Sequence, residues 1–394
     1  MTFALIIAVL WLAYSNGAND NFKGVATLYG SGAATFNRAR LWATATTIAG
    51  SLVSIVLAAS LATQFTGNGL VPAEVASSSA LLVSVGAAGA ATVLLATVLG
   101  MPTSTTHALT GALTGIALVV SGGSVAAIPF AKLWSSFFLP LLVSPVLAIV
   151  LAAGSYLALR RLRIAMGVTR QTCVCIGPER TPVPLLASVA LSIDGRAVPS
   201  SLAAYGSSAG RLSVTVGEAP ECVERYAGRV IGVDAHTVVD TVHYASAGAV
   251  CFARAVNDTP KIAALLMVGG AIGGWKLAIV AAAMAIGGVI QARKVAETMS
   301  KGITSLNPGQ GLTGNLVTAL LVIGASRIGV PVSTTHVSVG SIFGIGVAGG
   351  KPQWATVGKI STTWLTTLPL GGVLGAGLYY LLTHAPALTA AIGQ

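Results

Sequence analysis

Long apolar blocks dominate the chain, at 41–62, 78–100, 134–159, 275–291, 313–326 and 355–382. Each is close to the roughly 20 residues that an α-helix needs to cross a bilayer. The pattern changes between residues 167 and 245. Short alternating runs there, such as LLASVALSI and RLSVTVGE, stand between Gly and Pro residues and predict a few β-strands. The chain therefore reads as an all-α polytopic membrane protein of about 10–12 transmembrane segments, with a small central soluble domain carrying some β-structure. The predicted domains are residues 1–160, a first membrane repeat, 161–249, a soluble cytoplasmic insert, and 250–394, a second membrane repeat.

Composition sharpens this picture. Of 394 residues, 54% are hydrophobic and 8% charged, and the mean hydropathy is +0.83. A soluble domain carries about 25% charged residues. Most of the few acids cluster in the middle: Glu179, Asp194, Glu218, Glu221, Glu224, Asp234 and Asp240, which leaves Asp20, Glu74, Asp258 and Glu297 for the flanks. The net charge of +11 does not point to nucleic acid, because the basic residues sit at the ends of apolar spans, as the positive-inside pattern requires. No Lys or Arg precedes the first apolar run, so it is not read as a signal peptide. Cys173, Cys175, Cys222 and Cys251 lack the spacing of a zinc site and are expected as free thiols in a reducing compartment.

The flanks repeat each other. MPTSTTHALTGALTG from Met101 matches VPVSTTHVSVGSIFG from Val330, pairing Pro102, Ser104, Thr105, Thr106, His107, Gly111 and Gly115 with Pro331, Ser333, Thr334, Thr335, His336, Gly340 and Gly344. GANDNFKGV from Gly17 likewise matches AVNDTPKIA from Ala255, pairing Asn19, Asp20 and Lys23 with Asn257, Asp258 and Lys261. Each half thus carries an Asn-Asp element followed by a Ser-Thr-Thr-His element. The expected spans are 1–35 (broken), 41–62, 78–100, 103–120 and 131–159, then 251–272 (broken), 275–291, 313–329, 333–348 and 355–382. An odd number per half makes the repeats inverted, an architecture of secondary transporters with sites near the midplane. Arg160, Arg161 and Arg163 place the insert in the cytoplasm and the N-terminus outside. Arg38, Arg40, Arg293, Lys294, Lys301 and Lys351 then fall inside, with Lys132, Lys276 and Arg327 as exceptions. QARKVAETMSKGIT, from Gln291, reads as a cytoplasmic helix end.

The apolar run before Ser15 has about 13 residues and reaches roughly 20 Å, short of a hydrocarbon core of about 30 Å. The first helix should therefore continue past Asn19 and Asp20, with Gly17 and Asn19 suited to an unwound segment at membrane depth. Irregular backbone there is tolerated only inside protein or beside a watery cavity. Asp20 with Lys23, and Asp258 with Lys261, are i,i+3 pairs that can neutralise each other. Carboxylate and Asn carbonyl oxygens also suit a small cation such as Na⁺ at Asp20 and Asp258, and Lys suits an anion. Pro102 and Pro331 break the chain before Ser and Thr residues of the types that open helices. A helix N-terminus with hydroxyls beside it is a cage for a tetrahedral oxyanion. His107 and His336 could donate to an anion, titrate in coupling or hydrogen-bond a neighbouring helix, the structural role being favoured, and the Gly111/Gly115 and Gly340/Gly344 pairs are read as helix contacts. There is no GxxxxGK[ST] phosphate loop and no HExxH, and the chain is read as a carrier and not an enzyme.

In GANDNFKG, VNDTPK, PTSTTH, PVSTTH and ARKVAETMSKGIT the chain resembles the inorganic phosphate transporter family, over about 300 residues of both halves. The resemblance implies a helical fold with a cytoplasmic loop between inverted repeats, no cofactor, and symport of inorganic phosphate with Na⁺ or H⁺ across the plasma membrane. It implies a site formed by Asn19, Asp20, Ser104, Thr105, Thr106, Asn257, Asp258, Ser333, Thr334 and Thr335. The family pattern has small residues after Asp; here Lys23 and Lys261 stand three places on, which turns the expectation toward protons. Sulfate is the alternative substrate, and a membrane anion receptor the alternative class. The expected partners are phosphate and the lipid bilayer, with a homodimer allowed and no nucleic acid.

Overall fold

Helix α1 (Thr2–Asp20) opens the chain and ends at the first Asn-Asp pair. In this computed structural model residues 2–169, 171–178, 212–218, 231–266 and 274–385 are described. They form two units, Met1–Leu159 with Val242–Gln394, and Arg160–Thr241.

In the larger unit the chain leaves α1 through turns at 21–25 and resumes as the short α2 (Ala26–Gly30). Next come α3 (Phe36–Gln64), kinked at Ala58, and the short α4 (Ala73–Ala76). Beyond them lie α5 (Ser79–Val98) and α6 (Thr105–Val120). A single turn, α7 (Phe130–Leu133), runs through a π-helical turn into α8 (Leu139–Ala165). The second half holds α9 (Ala235–Ala263), α10 (Gly274–Gln291), the amphipathic α11 (Arg293–Lys301), α12 (Pro308–Arg327), α13 (Thr334–Ala348) and α14 (Trp354–His384). Among the described residues, four helical segments are long and apolar enough to cross a membrane: Ser79–Val98, Phe130–Ala165, Gly274–Gln291 and Trp354–His384.

Local chemistry sets the helix starts. The Ser78 hydroxyl accepts from the Leu81 amide, and Asn307 and Gln310 form a reciprocal capping box ahead of α12, with Pro308 at its first position. Helices α12 and α13 begin 229 residues after α5 and α6 (308 − 79 and 334 − 105), so the repeat seen in sequence is also a repeat of elements. Helix α6 has 16 residues and α13 has 15. At 1.5 Å per residue they reach about 24 Å at most, too short for a full crossing.

The glycine pairs fix a crosswise packing. A Cβ on Gly111 or Gly115 of α6 would overlap the Leu368 or Gly372 carbonyl of α14. A Cβ on Gly340 or Gly344 of α13 would press on the Pro145 or Ile149 carbonyl of α8. Each short helix of one half therefore lies backbone to backbone on the last long helix of the other half, as small residues permit. The apolar core beside it includes Leu12, Leu81, Val85, Leu109, Leu113, Leu265 and Met284.

Two expectations about the Asn-Asp helices are corrected. The first helix does not continue past Asp20, and it does not unwind at Gly17 or Asn19; the break begins at Asn21. Gly17 serves packing instead, since a Cβ there would meet the Met284 carbonyl. The second Asn-Asp pair is not in a broken segment. Helix α9 is continuous through Asn257 and Asp258 to Ala263 and tightens into a 3₁₀ turn at Ala264–Leu266.

In the smaller unit β1 (Thr172–Pro178) pairs antiparallel with both β2 (Leu212–Glu218) and β3 (Ile231–Asp234), in the order β2-β1-β3. Within RLSVTVGE, Leu212–Glu218 is a strand as expected; the strand expected over LLASVALSI lies outside the described residues. The Asp234 carboxylate accepts from the Thr237 amide and so caps the start of α9. Cys173 and Cys251 are free thiols, whereas Cys175 is disulfide-bonded, against the expectation for it; Cys222 lies outside the described residues.

Candidate functional site

The prolines and serines build the site first. After Pro102 and Pro331 the backbone stays extended to Ser104 and Ser333, whose hydroxyls accept from the His107 and His336 amides at 3.2 and 3.1 Å. These two serines are therefore N-caps, and the helix starts aim Thr105, Thr106, Thr334 and Thr335 at the Asn-Asp elements.

The polar pairing between these elements is crosswise and two-fold. The Lys23 ammonium donates to Asp20 Oδ1, to the Thr103 carbonyl at 2.6 Å and to Thr335 Oγ1 of the other half. Lys261 donates to Asp258 Oδ1 at 3.3 Å, to the Val332 carbonyl at 3.1 Å and to Thr106 Oγ1 of the other half at 2.8 Å. Thr106 in turn reaches the Val332 carbonyl, and Thr335 the Thr103 carbonyl. Residues 103 and 332 are repeat equivalents, so the two clusters are copies with the halves exchanged.

The asparagines anchor the extended segments. Asn19 Oδ1 accepts from the Thr103 amide, while its Nδ2 donates to Thr97 Oγ1 and the Met101 carbonyl. Asn257 donates to the Val332 carbonyl and to Asp258 Oδ1 at 3.0 Å, and accepts from Ser326, the equivalent of Thr97. Asn19 thus spends its polar atoms on backbone and a neighbouring hydroxyl, and Asn257 does so with one further bond to the Asp258 carboxylate. Thr105 accepts from Asn16 Nδ2 at 2.9 Å, and Thr334 donates to Asp258 Oδ2 at 3.4 Å. All twelve residues expected at the site are buried; these contacts join the others across both halves, whereas Ser104 and Ser333 bond only the amides of their own helices.

Two residues that join the clusters, Asn16 and Arg254, do not stand out in the sequence motifs. Asn16 Nδ2 reaches Asp20 Oδ2 at 3.3 Å and Asp258 Oδ2 at 3.4 Å, and Asn16 Oδ1 accepts from Arg254 Nη1 at 3.2 Å. Each stands three places before the Asn of its Asn-Asp pair, so the repeat itself makes them equivalents. The signal that points to them is an arginine inside an otherwise apolar span, which is a site candidate by default.

His336 Nδ1 bonds the Leu141 carbonyl at 3.0 Å, a contact to the last long helix of the other half that fits the structural reading. Its ring lies edge-to-face on His107, centroids 4.6 Å apart, and against Trp364. Among the described residues, no group of three or more His, Cys, Asp or Glu gathers as a metal site. Each aspartate instead carries a tethered ammonium, Lys23 on Asp20 and Lys261 on Asp258.

Comparisons with known proteins identify the family. The chain is 27% identical to the chloroplastic inorganic phosphate transporter 2-1 of Arabidopsis thaliana, over 97% of this chain and 72% of that protein. It is 28% identical to a Pyrococcus furiosus protein named as a phosphate permease, over 95% of each. A solved structure described as the sodium-dependent phosphate transporter matches with a TM-score of 0.69 and 22% identity over 98% of this chain and 99% of that one, a likeness of fold. The model of the phosphate transporter family matches residues 16–375, from the asparagine that bridges the two aspartates through the glycine face of α14. The chain is an integral membrane protein that belongs to the phosphate transporter family.

Proposed function

We propose that this protein is a secondary transporter that imports inorganic phosphate across the cytoplasmic membrane together with a cation. The observation that carries this reading is the crosswise cluster: each lysine contacts the aspartate of its own half and a threonine hydroxyl of the other. An oxyanion placed between the two helix starts would take its donors from Lys23, Lys261, Thr105, Thr106, Thr334 and Thr335, with the Ser104 and Ser333 caps holding the helix ends. Asp20 and Asp258 are the acidic groups that carry the coupling.

The two halves are read as inverted repeats, 1–160 and 250–394, around a cytoplasmic insert at 161–249, with the N-terminus outside. Alternating access then means motion of one half against the other, which must break the crosswise lysine–threonine bonds. A divalent anion entering against 100 mV meets roughly 2.3 kcal/mol per charge, and each co-transported cation removes one such charge. Because Lys23 and Lys261 already sit on the two aspartates, the proton is the favoured co-ion.

Uptake of labelled phosphate into proteoliposomes holding this protein alone tests the reading, with sodium and pH gradients varied separately. Uptake driven by an inward proton gradient without sodium is expected. Strict sodium dependence with indifference to the proton gradient refutes the coupling. Stronger competition by sulfate than by unlabelled phosphate refutes the substrate, and absence of any uptake refutes transport in favour of an anion receptor.

A further inference from the structure

Among the described residues the buried Asp, Glu, Lys and Arg side chains are Asp20, Lys23, Arg254, Asp258 and Lys261. Three cations face two carboxylates, which leaves one positive charge uncompensated. The pairing shows where it resides. Lys23 bonds Asp20 and Lys261 bonds Asp258. Arg254 bonds only neutral oxygens, Asn16 Oδ1 at 3.2 Å and Thr47 Oγ1 at 2.8 Å, and its nearest carboxylate oxygen, on Asp258, stands 4.0 Å away. Its Nε is buried and has no hydrogen-bond partner. Buried charge without a partner is costly, and buried donors are normally satisfied.

The repeat shows that the fold does not require this charge. The equivalent position in the first half is Asn16, which occupies the same place between the two aspartates with a neutral amide. Lys23, Thr106 and the other crosswise residues have equivalents of like chemistry; this position alone among the charged members of the cluster lacks one.

We infer that Arg254 is the anion-binding cation of the site, and that the bound cargo carries one net negative charge, as monovalent phosphate or as divalent phosphate with one co-transported cation. The inference rests on the transport reading above and adds to it the ligand and the charge balance. The guanidinium supplies a free Nε–H and a planar face of donors suited to an oxyanion, while its remaining bonds to Asn16 and Thr47 hold it in register with both aspartates.

The test uses purified full-length protein and inorganic phosphate. Thermal stabilisation by potassium phosphate, relative to potassium chloride at equal ionic strength, reads binding. Uptake kinetics in proteoliposomes read KM and kcat separately. R254Q is expected to raise the phosphate dissociation constant and KM about tenfold to a hundredfold, the loss of a charge-assisted hydrogen bond, and R254K to recover part of that loss. Thr47→Asp leaves Arg254 in place and gives it a carboxylate, so it is expected to weaken phosphate binding as R254Q does. Thr47→Asp keeps the test decisive if R254Q does not fold. Varying pH at fixed total phosphate, with and without sodium, separates the monovalent anion from the divalent anion with its cation. Wild-type affinity in R254Q or in Thr47→Asp overturns the assignment of Arg254. A wild type with no response to phosphate at all overturns instead the transport reading beneath it.

Discussion

Replacing Lys23 by Met tests the charge pairing directly. The three protons of the ammonium are all used, on Asp20, the Thr103 carbonyl and Thr335. Met keeps the buried length of the side chain and removes the charge. The Thr103 carbonyl still accepts from Thr335, so the main loss falls on Asp20, which keeps the amide of Asn16 at 3.3 Å. Breaking one partner out of a buried ion pair costs about 3–5 kcal/mol, because the other charge remains unpaired. The double variant D20N/K23M removes both charges and should recover most of that stability while transport stays lost. K261M should cost less than K23M by about 1–2 kcal/mol. Asp258 keeps donors on Asn257 at 3.0 Å, Thr334 at 3.4 Å and Asn16 at 3.4 Å, with Arg254 at 4.0 Å. Equilibrium unfolding of the purified variants in mixed micelles gives the three free energies. A double variant as unstable as K23M, or K261M the costlier of the two singles, refutes this account of the pairing.

Other substitutions test the scaffold. Gly115→Val puts a side chain on the Gly372 carbonyl and should cost about 1–3 kcal/mol with loss of uptake, whereas Gly358→Ala, in open space on α14, should raise the unfolding free energy by about 0.5–1 kcal/mol. Ser104→Ala and Ser333→Ala each remove one equivalent cap and should each destabilise by about 1 kcal/mol in the same unfolding assay. In the smaller unit the Thr237 amide holds the Asp234 carboxyl below the usual carboxylate range. A depressed folded pKa means that its contribution is present at neutral pH and is lost as pH falls through that lowered value. The protection factor of the Thr237 amide, its exchange rate relative to an unstructured amide at the same pH, should therefore fall in acid in the wild type, and D234N should show the lower protection factor already at pH 7.

Much of this is legible in the sequence because the repeat writes it twice. PTSTTH and PVSTTH carry their own helix starts: Pro ends the apolar run before it, and Ser caps the helix after it. The glycine spacing marks the close-packed faces, although not that each face packs on the other half, since pairing between distant helices leaves no local signal. Gly17 is ambiguous because a glycine that admits a neighbouring carbonyl looks the same in sequence as one that admits a bend. Helix α9 begins at Ala235, well before the apolar run, because its first turns are polar and exposed and their composition matches that of the soluble insert. Asn16 and Arg254 are hidden because their chemistry differs. A search for like residues in like places passes over the position where the two halves diverge.

On the transport reading, that divergence bears on how the halves move. Bonds of the cluster that cross between them include those from Lys23 to Thr335, Lys261 to Thr106, Thr335 to the Thr103 carbonyl, Thr106 to the Val332 carbonyl, Asn16 to Asp258, and Arg254 to Asn16 and Thr47. Each contributes about 0.5–1.5 kcal/mol net, and leaving its buried partner unsatisfied costs more. Separation of the halves around an empty cluster therefore exposes several unpaired donors at once. A tetrahedral oxyanion offers four acceptor oxygens to the same lysine, threonine and arginine donors, so it lowers that cost where an empty site cannot. On the transport reading, the cluster that binds phosphate is then also the latch that keeps the unloaded halves together. Because Arg254 hydrogen-bonds no carboxylate, an anion, and not a neutral molecule of the same shape, is on that reading the ligand able to release it.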